Sequence, residues 1–195
     1  MEYFTELKIF FEKFPGIGPR QATRFIWTLV DFSENDLEKF GKLIADLNKY
    51  LIRCGECFRI SNAPLCSFCS LNSKRDQSKI MVVESDNDVI NIEKAKIYSG
   101  LYHVLGGVYD AIEENPVVRE RIKALYGRVS KKAPKEIILA LSPTKLGSFT
   151  ASYIEKILEP VQKIKITRLA RGLSTGVELE YADEMTLRQA LDNRK

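Results

Sequence analysis

Cys54-Gly55-Glu56-Cys57, then eight residues, then Cys66-Ser67-Phe68-Cys69: this block holds all four cysteines of the 195-residue chain. Two C-x-x-C pairs that close together set four thiolates around one tetrahedral Zn²⁺, each pair forming a tight knuckle. Four protein ligands leave the metal no open position, so such a site is structural and not catalytic. Two disulfides are the competing reading, and they belong to secreted proteins. The start, Met1-Glu2-Tyr3-Phe4-Thr5-Glu6, has neither the basic residues nor the apolar run of a secretory signal. That favours zinc. Phe58, Ile60, Pro64 and Leu65 are too few for a core, so a metal must hold the segment together.

Upstream of the block the pattern is helical. Phe4, Leu7, Phe10, Phe11 and Phe14 recur at three- and four-residue steps, the stripe of an amphipathic helix. Pro15-Gly16-Ile17-Gly18-Pro19 breaks it, and a second helix follows with Ala22, Phe25, Ile26 and Leu29 on one face. Ser33 with Asp36 starts a third helix, whose stripe runs through Leu37, Phe40, Ile44, Leu47 and Leu51. Downstream the pattern changes to short β-rich runs. These are Ile80–Val83, ending at Glu84, Tyr102–Leu105, Ile137–Leu141 and the alternating Ile164–Arg168, with a helical stretch over Phe149–Leu158. Buried strands separated by helices predict an α/β layer with a largely parallel sheet. The fold class is therefore a multi-part α+β chain, with helices first, a four-cysteine finger next and an α/β unit last.

Apolar residues at 45% and charged residues at 29% describe an ordinary globular protein. No apolar run approaches a membrane span, so a cytoplasmic location without membrane contact is expected. The net charge of +4 is modest, but its distribution is uneven. Arg121, Lys123, Arg128, Lys131, Lys132 and Lys135 follow one another without an acid between them. Such a run is a solvated face or a phosphate-facing patch.

Phe14-Pro15-Gly16-Ile17-Gly18-Pro19-Arg20 is a glycine hairpin between two amphipathic helices. Gly16 and Gly18 let the backbone approach a phosphate, and the helix after Pro19 offers its positive end. Arg20 and Arg24 lie one turn apart, away from the apolar face. This is the pattern of a helix-hairpin-helix, which grips the DNA backbone without reading sequence, and it favours DNA binding over a plain glycine turn between helices. Gly172-Leu173-Ser174-Thr175-Gly176 matches a nucleophile elbow, but that motif needs an acid and then a histidine downstream, and the single histidine, His103, lies upstream. His103 reads as a packed or surface residue. Glu84 ends a strand where α/β folds place their sites, followed by Asp86 and Asp88, acids that also suit the next helix N-terminus. The later strand end, Ser142-Pro143-Thr144-Lys145, offers no matching acid for a Mg²⁺ site, so no catalytic residue is assigned.

Taken together, the glycine hairpin, the four cysteines, Val82-Val83-Glu84-Ser85, Gly100-Leu101-Tyr102-His103-Val104-Leu105, Arg168-Leu169-Ala170-Arg171-Gly172 and Glu178-Leu179-Glu180-Tyr181-Ala182-Asp183-Glu184 resemble the bacterial recombination mediator family RecR over nearly the whole chain. The resemblance implies a helix-hairpin-helix part over 1–53, a zinc finger over 54–78, a Toprim domain over 79–170 and a C-terminal segment over 171–195. It implies a non-enzymatic role in recombinational DNA repair, as a ring-shaped tetramer on gapped, single- or double-stranded DNA. RecR-like proteins help RecO and RecF to load the RecA recombinase, which places this chain in the cytoplasm at the nucleoid. The family's DNA contacts carry over to Arg20 and Arg24, its zinc ligands to Cys54, Cys57, Cys66 and Cys69, and its first Toprim acid to Glu84. Two stretches depart from the family pattern. Leu146 and Ser148 replace acids after the Leu141 strand, and Tyr109–Pro116 replaces a proline- and glycine-rich loop. A Toprim nuclease or primase relative, and a zinc-stabilised protein-interaction module, remain as alternative readings.

Overall fold

The computed structural model describes residues 1–113, 115–161, 164–170, 173, 176, 178–182 and 184–192. The chain forms two compact units, Met1–Tyr50 and Leu51–Lys195.

The first unit is helical: α1 (Glu2–Glu12), α2 (Pro19–Val30), α3 (Glu34–Ala45) and the single turn α4 (Leu47–Tyr50). Pro19 opens α2, where its missing N–H costs nothing. Ser33 caps α3 as expected, its Oγ accepting from the Asp36 N–H at 3.2 Å. The third helix does not run on to Leu51. It stops at Ala45, Asp46 takes the Lys49 ammonium, and the chain restarts as α4. Phe11 packs between α1 and α2, 5.5 Å from the Phe25 ring. Ala22 and Ile26 are the buried residues here. Most of the apolar stripe instead lines an open groove of about 890 Å³ that includes Phe4, Leu7, Phe10, Leu37 and Phe40.

The second unit begins with a two-stranded ribbon, β1 (Ile52–Arg53) antiparallel to β2 (Ile60–Ser61). A four-stranded sheet follows, built from β3 (Asp76–Val83), β4 (Gly100–Val104), β5 (Glu136–Ala140) and β6 (Lys165–Arg168). Its order is β4-β3-β5-β6 and every neighbour is parallel. The crossovers are α5 (Asp86–Ala95), α6 (Pro116–Lys132) and α7 (Lys145–Leu158); a 3₁₀ turn (Leu179–Tyr181) and α8 (Glu184–Asp192) follow. Central β3 shows why this sheet needs cover on both faces. Ile80 and Val82 join a cluster with Ile122 and Leu125 of α6 and Ile154 of α7. Met81 and Val83 join the opposite cluster, with Val89 of α5, Tyr102, and Phe68 from between the last two cysteines. The cysteine block thus supplies part of the second covering layer that helices provide elsewhere in such folds.

Helix α6 is the element that the sequence pattern hid. Asn115 caps it, Pro116 opens it, and Val118, Ile122, Leu125 and Val129 form its buried stripe. The basic run, which reads from the sequence as a solvated face or a phosphate-facing patch, lies on this helix and just after it, and it is not uniformly solvated. Arg128 is only 6% exposed, and Arg121 is partly buried, donating to the Val104 carbonyl.

Candidate functional site

The four cysteine side chains converge. Their sulfurs lie within 4.8 Å of one another, all four residues are buried, and none forms a disulfide. Cys57 Sγ and Cys66 Sγ are 3.5 Å apart. A tetrahedron of metal–sulfur bonds of about 2.3 Å has edges of about 3.8 Å, so this set fits a tetrahedral soft or borderline cation. Local backbone geometry explains the convergence. Phe58 takes a left-handed φ of 61° immediately after Cys57, and its N–H bonds the Cys54 carbonyl at 3.0 Å. The Cys54 N–H reaches the Arg59 carbonyl at 2.9 Å, and the Cys69 and Ser70 N–H groups both turn back to the Cys66 carbonyl. The Cys66 N–H points at Cys54 Sγ at 3.4 Å, which ties the two knuckles together.

With protons as the only cations, Cys57, Cys66 and Cys69 compete for them. Hydrogen bonds to Cys66 and then Cys69, with burial, push the Cys57 thiol far up, while the same Cys57 bond draws Cys66 far down. A divalent cation held by Cys54, Cys57, Cys66 and Cys69 would replace the protons for which the thiols compete and let all four bind as thiolates.

Sequence reasoning missed the residues that fasten the knuckles to the sheet. Arg128 of α6 donates to the Tyr102 carbonyl at 2.6 Å and to Cys69 Sγ at 3.4 Å, and its Nε lies 3.4 Å from Glu56 in the first pair. A buried guanidinium here brings positive charge to a sulfur-rich centre and ties it to β4 at the same time. Asp86 holds the other side, pairing with Arg53 and accepting from the Ile60 N–H at 2.7 Å. Phe68 sits between the guanidinium groups of Arg59 and Arg75, 4.1 and 3.7 Å from its ring centre. Arg75 in turn pairs with Glu93, which accepts from the Tyr102 hydroxyl at 2.6 Å. An arginine inside a basic run carries no sequence mark that distinguishes it from its solvated neighbours.

At the C-terminal edge of the sheet, Glu84 accepts a hydrogen bond from the Ser142 N–H through its side chain and from the Gly106 N–H through its carbonyl. It therefore bridges the loops after β5 and β4. Asp88 closes a reciprocal cap with Ser85, and Asp86 belongs to the cysteine block. The three acids thus engage three different partners. His103, one strand away, is fully buried, with Nε2 2.9 Å from the Arg121 carbonyl and its ring edge-on to Phe58. A carbonyl only accepts, so Nε2 carries the proton. Burial, then the charges of Arg128 and Arg121, push its pKa down to about 3.

In the helical unit the hairpin forms as the glycines require. Gly16 has φ 78°, a region that favours glycine. The Ile17 N–H is taken by the Phe14 carbonyl at 3.1 Å and the Gly18 N–H by Gln21 Oε1 at 3.3 Å. The N–H groups of Arg20 and Gln21, in the first turn of α2, take no bond among the described residues. Arg20 and Arg24 are exposed and form no ion pair among the described residues. In the glycine–serine motif, Gly172, Ser174 and Thr175 lie outside the described residues, as do Arg171 and Asp183 of the later motifs. Among the described residues, no helix is long and apolar enough to cross a membrane.

The parallel sheet of this order belongs to a doubly wound α/β unit, and a Toprim domain model that matches residues 78–170 shows which class of unit it is. A second model, RecR C-terminal, matches residues 172–195. Recombination protein RecR of Staphylococcus saprophyticus is 42% identical over 184 residues, which is 94% of this chain and 92% of that one. The proteins of the same name from Staphylococcus haemolyticus and Staphylococcus aureus are 42% and 41% identical over the same share. The chain belongs to the RecR family of recombination proteins.

Proposed function

We propose that this chain is a non-enzymatic recombination mediator that holds the backbone of gapped DNA through its glycine hairpin, with one structural Zn²⁺ at Cys54, Cys57, Cys66 and Cys69. The observation that carries the DNA reading is the pair Arg20 and Arg24, exposed and one turn apart beside the open first turn of α2. Two guanidinium groups and unpaired N–H groups at a helix N-terminus attract phosphates of any sequence. The zinc reading is supported by four cysteine sulfurs within 4.8 Å of one another, a donor set that suits a closed tetrahedral Zn²⁺ site. The non-enzymatic reading rests on the three acids, each engaged in a structural bond, with Leu146 and Ser148 where a second acid pair would stand. Assembly into a ring, and work with RecO and RecF to load RecA in the cytoplasm, belong to the same proposal, with family membership as their support. The uncovered groove of the helical unit supports self-association, because apolar faces of this extent are normally covered.

One experiment tests the core of this. DNA binding and solution mass are measured together at two salt concentrations. Binding should be nearly sequence-independent and fall with rising salt, and the Arg20→Ala/Arg24→Ala variant should lose it while keeping its metal. A double variant that binds gapped DNA as well as the parent overturns the hairpin assignment. A mass of 22.3 kDa at all concentrations overturns the oligomer.

A further inference from the structure

The helical unit exposes many aromatic rings, and almost all of them share one explanation. Phe10, Phe14, Phe25 and Phe40 line the apolar grooves between the helices. Trp27, the single tryptophan of the chain, is different. It is 61% exposed, it lines neither groove, and it makes no ring or cation contact among the described residues.

Its place on α2 is the reason. At 100° per residue the buried face is centred between Ala22 and Ile26. Trp27 falls on the opposite side, three residues after Arg24 and seven after Arg20, so the three side chains share one face. The intervening hydroxyls do not compete for a ligand, since Thr23 donates to the Pro19 carbonyl at 2.9 Å and Thr28 to the Arg24 carbonyl at 3.0 Å. A large ring therefore stands in water, beside two exposed guanidinium groups, on the helix whose first turn offers free N–H groups.

We infer that Trp27 is a stacking platform for an unpaired base, held over the ring while Arg20 and Arg24 hold the adjoining phosphates. The occupant is single-stranded nucleic acid. Two cations beside a π-face are complementary to a phosphate with a splayed base, whereas in duplex DNA the base faces are already stacked and cannot reach the ring. This rests on the hairpin reading and adds to it a preference that the arginines alone do not provide. Phosphate contacts grip either form, and the tryptophan tips the balance toward the single-stranded part of a gap.

The chain reports on the contact without a label, because its fluorescence comes from Trp27 alone among tryptophans. Titration of the full-length protein with a thymidine oligonucleotide should quench that emission to saturation, and the matching duplex should bind with little quenching. Trp27→Leu should weaken single-strand binding on the order of ten-fold, leave duplex binding and the salt slope unchanged, and Trp27→Phe should recover most of the loss. The Arg20→Ala/Arg24→Ala variant should lose both forms, which separates the two claims. If that variant binds like the parent, the hairpin reading fails, whatever Trp27 does. If Trp27→Leu binds the oligonucleotide as well as the parent, the stacking inference fails while the hairpin stands. Emission that follows protein concentration and ignores the oligonucleotide makes Trp27 a contact between copies and overturns it too.

Discussion

The helical unit and the Toprim unit solve the same problem in opposite ways. In the second unit β3 is covered on both faces, by α6 and α7 on one side and by α5 with the cysteine block on the other. Even its charged groups are turned inward, as Arg128 shows. In the first unit three amphipathic helices bury two residues and leave Phe10, Phe40 and Ile44 open. Both stretches carry a regular apolar pattern. The difference is that one finds its cover within the chain and the other leaves its apolar face open. Burial within one copy is therefore the basis of stability in the Toprim unit. It is not sufficient for the helical unit, whose apolar area must be covered by something else.

The largest test of this contrast is metal removal. Cys57→Ser, or a strong chelator, should release the ion and unfold the block, since structural zinc supplies on the order of 10 kcal/mol in isolated fingers. The damage should spread into the sheet, because the Val104 N–H bonds the Cys57 carbonyl at 2.8 Å and Phe68 packs on Tyr102. Proteolysis sites should open across residues 51–110 and spare Met1–Tyr50. Elemental analysis finding no zinc in the parent, or cleavage opening both units equally, would contradict this.

Next in size is a matched pair of truncations. Leu125 is fully buried, and Leu125→Ala should cost about 3 kcal/mol, within the range of large-to-small core changes. Phe40 is 41% exposed, and Phe40→Ala should cost much less in dilute protein. Its effect should appear at high concentration instead, as a smaller mass by light scattering, if copies cover the groove. Equal losses from the two truncations in dilute solution would show that the helical unit has a complete core of its own.

Which parts of this could be read from the sequence depended on whether the pattern was local. The C-x-x-C spacing, the glycine hairpin and the β-rich runs each declare themselves within a few residues, and each became the element expected. What stayed hidden were residues whose role is set across the fold. Arg128 and Asp86 are ordinary surface types, and only the closing of α6 and β2 onto the knuckles makes them ties. Helix α6 was masked by its own charges, though Asn115, Pro116 and the Val118–Ile122–Leu125–Val129 stripe were a legible start signal and face. The break at Asp46 was masked in the opposite way, since the apolar stripe continued across it.

The smallest effect is a pH dependence confined to the Toprim unit. His103 is buried and neutral, hydrogen-bonded through Nε2 to the Arg121 carbonyl, and the charged groups acting on it are Arg128 and Arg121, both positive. Burial first, then those two charges, hold its pKa down to about 3, whereas an unfolded histidine titrates near 6.5. Between these values the unfolded chain binds a proton that the folded chain refuses. Stability from this residue is thus complete above about pH 6.5 and is lost as pH falls toward 3, with a slope of at most about 1.4 kcal/mol per pH unit. His103→Gln keeps a donor for the Arg121 carbonyl and removes the titration. It should be less stable than the parent at pH 7, yet lose less stability between pH 6.5 and 4.5 in denaturant curves followed by circular dichroism. Acid weakens the cysteine centre in both proteins alike, so the difference between the two profiles isolates the histidine. Parallel profiles would mean that the folded Toprim unit admits the proton, and that its core is less closed than its contrast with the open helical unit requires.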